Sequence, residues 1–298
     1  MPRPRHSRTV HVPVLLREVV DELDLQPQLT IVDGTVGAGG HSSQIMKRAP
    51  NDCRLIGLDR DESMLARAEQ VVSGENVTLK QSSYAELDAV LDELNVDQVD
   101  RVLLDLGLSS DQLADEQRGF GYETTGELDM RFDRRVGQSA ADFMASATTE
   151  ELERVFAEYG EERHAGAIAQ KIVEQRQRKP ITTADQLVNL ITDLTGAPKR
   201  QQSHPATRVF QALRIAVNEE LKQLETFLTD VLPRRLRSGG RALIISFHSL
   251  EDRLVKQAFR EVTLWDNLTR KPIVPTPSEV RLNPRSRSAK LRIAVRNS

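Results

Sequence analysis

The chain has 298 residues, with 41 Lys or Arg against 44 Asp or Glu for a formal charge of −3, and is 39% apolar and 29% charged. That length buries a sizeable core in one large or two smaller domains, and the near-neutral balance excludes a protein that coats nucleic acid indiscriminately. The single cysteine, Cys53, excludes an internal disulfide and a cysteine-based zinc cluster. No metal site is expected. It also fits a reducing compartment. No run reaches the length of a membrane span, and the basic start, Met1-Pro-Arg-Pro-Arg-His6, leads into no apolar signal segment. The expectation is a cytoplasmic protein.

In chain order, Val12–Leu23 has the apolar spacing of an amphipathic helix. Strands are predicted at Leu29–Asp33, Leu55–Asp59, Asn76–Lys80 and Val99–Leu106, with helices at His41–Ala49, Glu62–Val72 and Ala85–Leu94 between them. Such alternation argues for a parallel sheet covered on both faces. The rhythm then stops. Residues 115–138 are rich in Gly, Asp and Arg and read as ordered loop, and 148–194 carries helical signatures beginning at a Thr148-Thr-Glu-Glu151 capping box. A long helix is predicted from Pro205 to about Leu228, then a fifth strand at Ala242–Phe247 and a helix at Ser249–Arg260. Pro272, Pro275, Pro277 and Pro284 predict an extended stretch, and Leu291–Val295 a final edge strand. The expected organisation is a discontinuous α/β domain, 1–112 and 205–298, with a doubly wound Rossmann-like sheet, interrupted by a mostly helical insert at 113–204.

Between the first strand and its helix lies Asp33-Gly-Thr-Val-Gly-Ala-Gly-Gly40, where α/β sheets bind nucleotide-like ligands. The dinucleotide fingerprint fails because Ser42 stands at its third glycine, and the P-loop Lys-Ser/Thr pair is absent. Asp59 ends the second strand, placed to accept from both hydroxyls of a ribose. An acid before the loop, Asp33, suits S-adenosyl-L-methionine, whose sulfonium and ammonium groups favour carboxylates. The fourth strand brings Asp105 to the same sheet edge.

Several further segments are specific: His11-Val-Pro-Val-Leu-Leu16, Leu104-Asp-Leu-Gly-Leu-Ser-Ser110, Arg118-Gly-Phe120, Leu128-Asp-Met-Arg131, Arg208-Val-Phe-Gln-Ala-Leu-Arg214, Ser246-Phe-His-Ser-Leu-Glu-Asp-Arg253 and Asn283-Pro-Arg-Ser-Arg-Ser-Ala-Lys-Leu-Arg292. With the glycine loop they span nearly the whole chain, and the sequence resembles the bacterial small-subunit ribosomal RNA cytidine-N4 methyltransferase family. The resemblance implies a class I S-adenosylmethionine-dependent methyltransferase fold with an inserted helical domain. It implies methyl transfer from S-adenosyl-L-methionine to N4 of one cytidine, cytosine 1402, in the decoding region of 16S rRNA. By similarity Gly39, Gly40 and His41 contact the cofactor, Asp59 its ribose and Tyr84 the surroundings of its adenine. Asp105 and Gln112 take the rest. Tyr84 stands where an aromatic, often Phe, is expected, and Asp111 replaces a proline.

N4 of cytosine is a poor nucleophile because its lone pair is delocalised into the ring, so it must be held in line and its protons accepted. The Pro-Pro-Tyr element that DNA amino-methyltransferases use is absent; the strand end reads Asp105-Leu-Gly-Leu108. Candidate acceptors are Asp105, the hydroxyls of Ser109 and Ser110, and backbone carbonyls near Leu106. Helix capping is an equally good account of the serines. His248 either orients the base or is satisfied by local packing. Phe247 or Phe120 is a candidate to stack on an extruded cytosine, against core packing as the default.

Charge is partitioned. Residues 84–133 carry a net −11, 163–214 a net +6 and 268–298 a net +7. The two basic segments are the expected contacts to 16S rRNA or the small ribosomal subunit, with Arg285, Arg287, Lys290 and Arg292 spaced for phosphates. A non-catalytic RNA-binding assembly factor that retains the fold is the alternative from another class. Monomer and homodimer both stay open, and no membrane partner is expected.

Overall fold

The computed structural model describes residues 13–196 and 204–298; Val12, the first two residues of the His11 motif, and Lys199 and Arg200 of the basic insert lie outside them. The chain packs as two units, one formed by residues up to Gly107 together with Glu225–Ser298, the other by Leu108–Leu224.

The first unit carries the sheet. Helix α1 (Leu16–Glu22) precedes β1 (Thr30–Asp33), α2 (Gly40–Arg48), β2 (Arg54–Asp59), α3 (Glu62–Ala68), β3 (Val77–Gln81), α4 (Leu87–Glu93) and β4 (Val99–Asp105). These strands are parallel, with Asp33 level with Gly57 of β2 and Leu103 of β4. Ile31, Val32, Leu55, Ile56, Leu58 and Val102 to Leu104 are almost wholly buried, as expected of strands covered on both faces. β3 is one edge of the sheet, and all five of its residues keep some exposure.

The second unit is helical: α5 (Ser110–Ala114), α6 (Ala140–Ser146), α7 (Thr149–Glu158), α8 (Ala165–Arg176), α9 (Ala184–Thr195) and α10 (Ala206–Asn218). Among its described residues there is no strand, only an isolated bridge between Glu127 and Thr183. Four of these helices open on reciprocal capping boxes, at Ser109, Ser139, Thr148 and Thr183. The loop at 115–138 is ordered by what it buries: Phe120, Leu128 and Met130 enter the unit's apolar core, and Asn218 of α10 holds the Phe132 amide and the Met130 carbonyl. This unit extends beyond the expected insert at 113–204. The apolar face of α10, Ala206, Val209, Phe210, Ala212 and Leu213, belongs to its core.

The long helix expected from Pro205 to Leu228 is broken. Glu219 adopts φ 50, in the left-handed region, and α11 (Glu220–Thr226) starts afresh, running through a π-turn at Phe227–Val231 into α12 (Leu232–Arg235). The sheet then resumes with β5 (Leu236–Ser246), parallel to β4, followed by α13 (Ser249–Ala258), β6 (Trp265–Asn267), α14 (Pro277–Leu282), a 3-10 turn at Pro284–Ser288 and β7 (Lys290–Arg296). The proline-rich stretch is thus largely helical turns, because Pro277 and Pro284 each occupy a first helical turn, where a missing N–H costs nothing. The strand order is 3-2-1-4-5-7-6. β7 runs antiparallel between β5 and β6, so it is an interior strand and not the expected edge. This is a doubly wound α/β sheet with one reversed strand. No helix among the described residues is long and apolar enough to cross a membrane.

Candidate functional site

Three parallel strands end in carboxylates: β1 in Asp33, β2 in Asp59 and β4 in Asp105. With β1 between β2 and β4, the three acids share the carboxyl edge of the sheet, the ligand-binding edge of such folds.

The loop after β1 is stitched to its neighbours. Gly34 N donates to Leu103 O (2.9 Å), Val36 N to Leu58 O (2.8 Å) and Gly37 N to Asp59 Oδ2 (2.8 Å). Gly39 has φ 84, and a Cβ there would stand 2.7 Å from Val71 Cγ2 and 3.0 Å from Val72 Cγ2, so both conformation and space demand glycine.

Asp59 holds this loop and the next. Its Oδ1 accepts from Asp61 N (2.8 Å) and its Oδ2 from Gly37 N. Each oxygen keeps a second lone pair for a hydroxyl. Burial pushes its pKa up to about 6. Asp33, 1% exposed, accepts from Ser42 Oγ (2.6 Å) and Thr35 N (3.2 Å), and burial raises its pKa as well. Ser42, the residue that breaks the dinucleotide fingerprint, is therefore a partner of Asp33.

Asp105 is the least satisfied. Its amide donates to Thr35 Oγ1 (2.6 Å), but Oδ1 is buried with no hydrogen-bond partner among the described residues. Burial, with the nearby Glu251 carboxylate, pushes its pKa up to about 7. His41 Nδ1 lies 3.4 Å from Asp105 Oδ2. The other ring nitrogen, Nε2, is 2.9 Å from the Val14 carbonyl, which can only accept. Nε2 therefore carries the proton, and burial holds the ring's pKa down and the ring neutral. Asp105 thus meets a bare lone pair, an arrangement that favours its protonated form. Among the described residues none of the three acids pairs with a lysine or arginine. A cationic ligand carrying a ribose fits such an edge.

Tyr84 opens the 3-10 turn after β3 and packs edge-on against Phe227, ring centroids 5.4 Å apart. Gly34 lies beneath it: a Cβ at Gly34 would be 3.0 Å from Tyr84 Cβ. His248 caps α13. Its Nδ1 accepts from Glu251 N (3.4 Å), while the buried Glu251 carboxylate takes Phe247 N (2.8 Å). Gly107, at φ 96, lies under the Phe247 ring, where a Cβ would stand 3.3 Å from Cδ2. In the second unit, Ser109 Oγ accepts from Gln112 N (3.1 Å) and Gln112 Oε1 from Ser109 N (3.0 Å), the capping box of α5. Ser110 is its first residue. Phe120 is 4% exposed and stacked on Phe132, which leaves no face for a base.

The chain belongs to the MraW methylase family. The family model covers residues 8–297. The proteins called ribosomal RNA small subunit methyltransferase H include one from Kosmotoga olearia, 49% identical across 98% of this chain and 99% of its own. Another, from Symbiobacterium thermophilum, is 44% identical across 96% of each. A solved rRNA methylase from Streptococcus thermophilus overlays 100% of this chain and 99% of its own with TM-score 0.40 at 10% identity.

The charges are arranged more tightly than sequence predicts for this methylase. Much of the acidic stretch at 84–133 is structural: Asp88 and Asp92 bind Arg234 and Arg235, Asp100 binds Arg237, and Asp129 binds Arg131 and Arg134. Lys290 and Arg292, expected on phosphates, instead hold Asp252 at 3.1 and 2.6 Å, and Arg292 is 4% exposed. Arg270, Lys271, Arg281, Arg285 and Arg287 remain exposed on the first unit, and Arg163, Lys171, Arg178 and Lys179 on the second. Sequence reasoning missed Thr35, whose hydroxyl meets the Asp105 amide, and Glu279, which bonds to the Leu15 amide. Thr35 lies within the glycine loop, but there the glycines and Asp33 carried the signal, and Glu279 lies in the basic tail, where no acidic pattern marked it.

Proposed function

We propose that this methylase transfers a methyl group from S-adenosyl-L-methionine to the exocyclic N4 of a cytidine in small-subunit ribosomal RNA, cytosine 1402 by family resemblance. The observation that carries the reading is the row of carboxylates on adjacent strand ends, Asp33 buried and Asp59 and Asp105 half-buried, with no lysine or arginine partner among the described residues and with Asp105 Oδ1 an orphaned acceptor. Such a site is unfavourable for charge until a cation fills it.

The residues fit the cofactor. Asp59 accepts from the ribose hydroxyls, the backbone of Gly39 and Gly40 lets the ligand approach closely, and Tyr84 borders the adenine. Asp105 Oδ1 takes a donor from the ammonium end, with His41 beside it, and Gln112 is a further candidate contact. When bound, the cofactor supplies an electrophilic methyl carbon on a positively charged sulfur. The protein's task is to hold N4 in line with it and exclude water. Candidate acceptors of hydrogen bonds from the amine are Asp105 and the hydroxyls of Ser109 and Ser110; as the bond from N4 to carbon forms the carbon–sulfur bond breaks, and the proton that N4 loses passes to one of them. His248 orients the base, and Phe247 offers a ring for stacking. The exposed arginines and lysines dock the RNA or the assembled subunit in the cytoplasm.

Mass mapping of 16S rRNA from cells lacking the gene tests the reading, together with restoration by the purified protein and S-adenosyl-L-methionine. A cytidine that loses one methyl group and regains it supports it. Unchanged methylation of every cytidine overturns it and favours the non-catalytic assembly factor, which leaves binding but no transfer.

A further inference from the structure

Residues 13–15 run past the start of α2 and are tied at two points. The Val14 carbonyl accepts from His41 Nε2 (2.9 Å), and Leu15 N donates to Glu279 Oε1 (2.8 Å), 264 positions away. Pro13 closes on Gly40, where a Cβ would stand 2.9 Å from Pro13 Cγ. Leu15 itself is fully buried at φ 52, a left-handed conformation that a leucine keeps only where its surroundings hold it. Glu279 is half-buried on α14, and its amide is fixed by Thr276 Oγ1 (3.2 Å). None of the expected site residues includes it.

The consequence reaches the cofactor edge through one proton. As long as the Val14 carbonyl sits on Nε2, the neutral His41 ring keeps its proton there and offers Asp105 a bare Nδ1. Without that carbonyl, the ring is free to carry its proton on Nδ1 and donate it to Asp105 Oδ2. The Asp105 carboxylate would then gain a donor within the protein at Oδ2, which offsets part of its charge, and would hold a cationic ligand at Oδ1 less well.

We propose that Glu279 is a positioning residue for the cofactor site: by holding the Leu15 amide it keeps the Val14 carbonyl on His41 and so reserves Asp105 for the ligand. The inference rests on S-adenosyl-L-methionine as that ligand. The titratable groups facing this pair are Asp33 and Glu279 around His41 and Glu251 beside Asp105.

The test compares the wild type with Glu279→Ala and Glu279→Gln. Nitrogen spectra of the histidine rings, recorded without cofactor, report the tautomer of His41, and calorimetry reports S-adenosyl-L-methionine affinity against pH. In the alanine variant a share of His41 moves to the Nδ1-protonated form. Affinity then falls by about tenfold, the scale of one hydrogen bond to a charged group, and the pH midpoint of binding shifts downward because Asp105 gains a donor. The glutamine variant, whose amide oxygen still accepts from Leu15 N, restores the wild-type tautomer and affinity. Glu279→Met, which fills the space without an acceptor, replaces alanine should that variant not fold. Wild-type tautomer and affinity in the variants lacking the acceptor overturn the proposal, as does a glutamine variant no better than alanine. A wild type that does not bind S-adenosyl-L-methionine overturns the cofactor reading instead, and the tautomer still judges Glu279.

Discussion

The carboxylates at the sheet edge make the site depend on pH in a definite sense. A carboxyl whose folded pKa exceeds its unfolded value of about 4 binds its proton more tightly when folded. Its stabilising contribution is whole at acid pH and is lost as pH rises through about 6 for Asp59 and about 7 for Asp105. A cationic ligand reverses this by favouring the ionised forms. S-adenosyl-L-methionine affinity is therefore expected to rise between pH 5.5 and 8, roughly the window of these two values, with protons released on binding. Calorimetry in buffers of different ionisation enthalpy measures that release, and proton uptake or none at all would contradict the assignment. Asp59→Ala removes the acceptor of Gly37 N and Asp61 N as well as the proposed ribose contact. Losing bonds to a charged group at about 1.5–3 kcal/mol each, it is expected to weaken cofactor binding at least tenfold. An unchanged dissociation constant in the same calorimeter would remove Asp59 from the site.

At the scale of elements, the glycine loop and the β7–α13 pair are the places where one change should propagate. Gly39→Ala forces a Cβ against Val71 and Val72 at φ 84. It is expected to lower stability by about 1–3 kcal/mol, and cofactor affinity with it, read as a fall in melting temperature with and without ligand. Asp252→Ala leaves the nearly buried Arg292 guanidinium and Lys290 without their carboxylate. The expected loss is about 3 kcal/mol in denaturant unfolding, and a loss under 1 kcal/mol, the scale of an exposed pair, would show that the pair is solvated. The elements that sequence revealed are those with a strong local signal. β1, β2, β4 and β5 are aliphatic runs, the capping box at Thr148 is a four-residue code, and the glycine loop is bounded by a strand and a helix. β6 was illegible because Trp265–Asn267 is three residues long and is held by pairing with β7, not by any alternation of its own. The break at Glu219 was hidden because the apolar spacing continues through it while the backbone does not.

For the whole molecule, charge is distributed by pairing more than by segment. Asp105 was readable as a strand-end acid, whereas Asp88, Asp92, Asp100 and Asp129 counted only as part of the acidic stretch and proved to be partners of arginines distant or local. Likewise Arg285 and Arg287 stay exposed while Arg292, five residues on, is buried in an ion pair. The double variant Arg285→Ala/Arg287→Ala is expected to weaken binding to 16S rRNA and to lower the slope of log affinity against log salt by roughly 1.4–1.8, two phosphate contacts' worth. S-adenosyl-L-methionine affinity should stay as in the wild type. Filter binding across a salt series checks it, and an unchanged slope would move RNA docking off this turn.

The order in which the sheet is assembled has a consequence for biosynthesis. β4 emerges from the ribosome early, but its partner β5 begins 131 residues later, at Leu236, and β7, which lies inside the sheet, is the last strand of all. At 5–20 residues per second, a nascent chain carries the open side of β4 for on the order of ten seconds before β5 exists. An unpaired, strongly apolar strand edge is a template for wrong pairing. The helices encoded in between have time to fold on their own, while the cradle for the cofactor must wait in an unfinished state. Chain ends truncated before Lys290 should therefore yield aggregation-prone products, whatever the fate of the residues that bind the ligand.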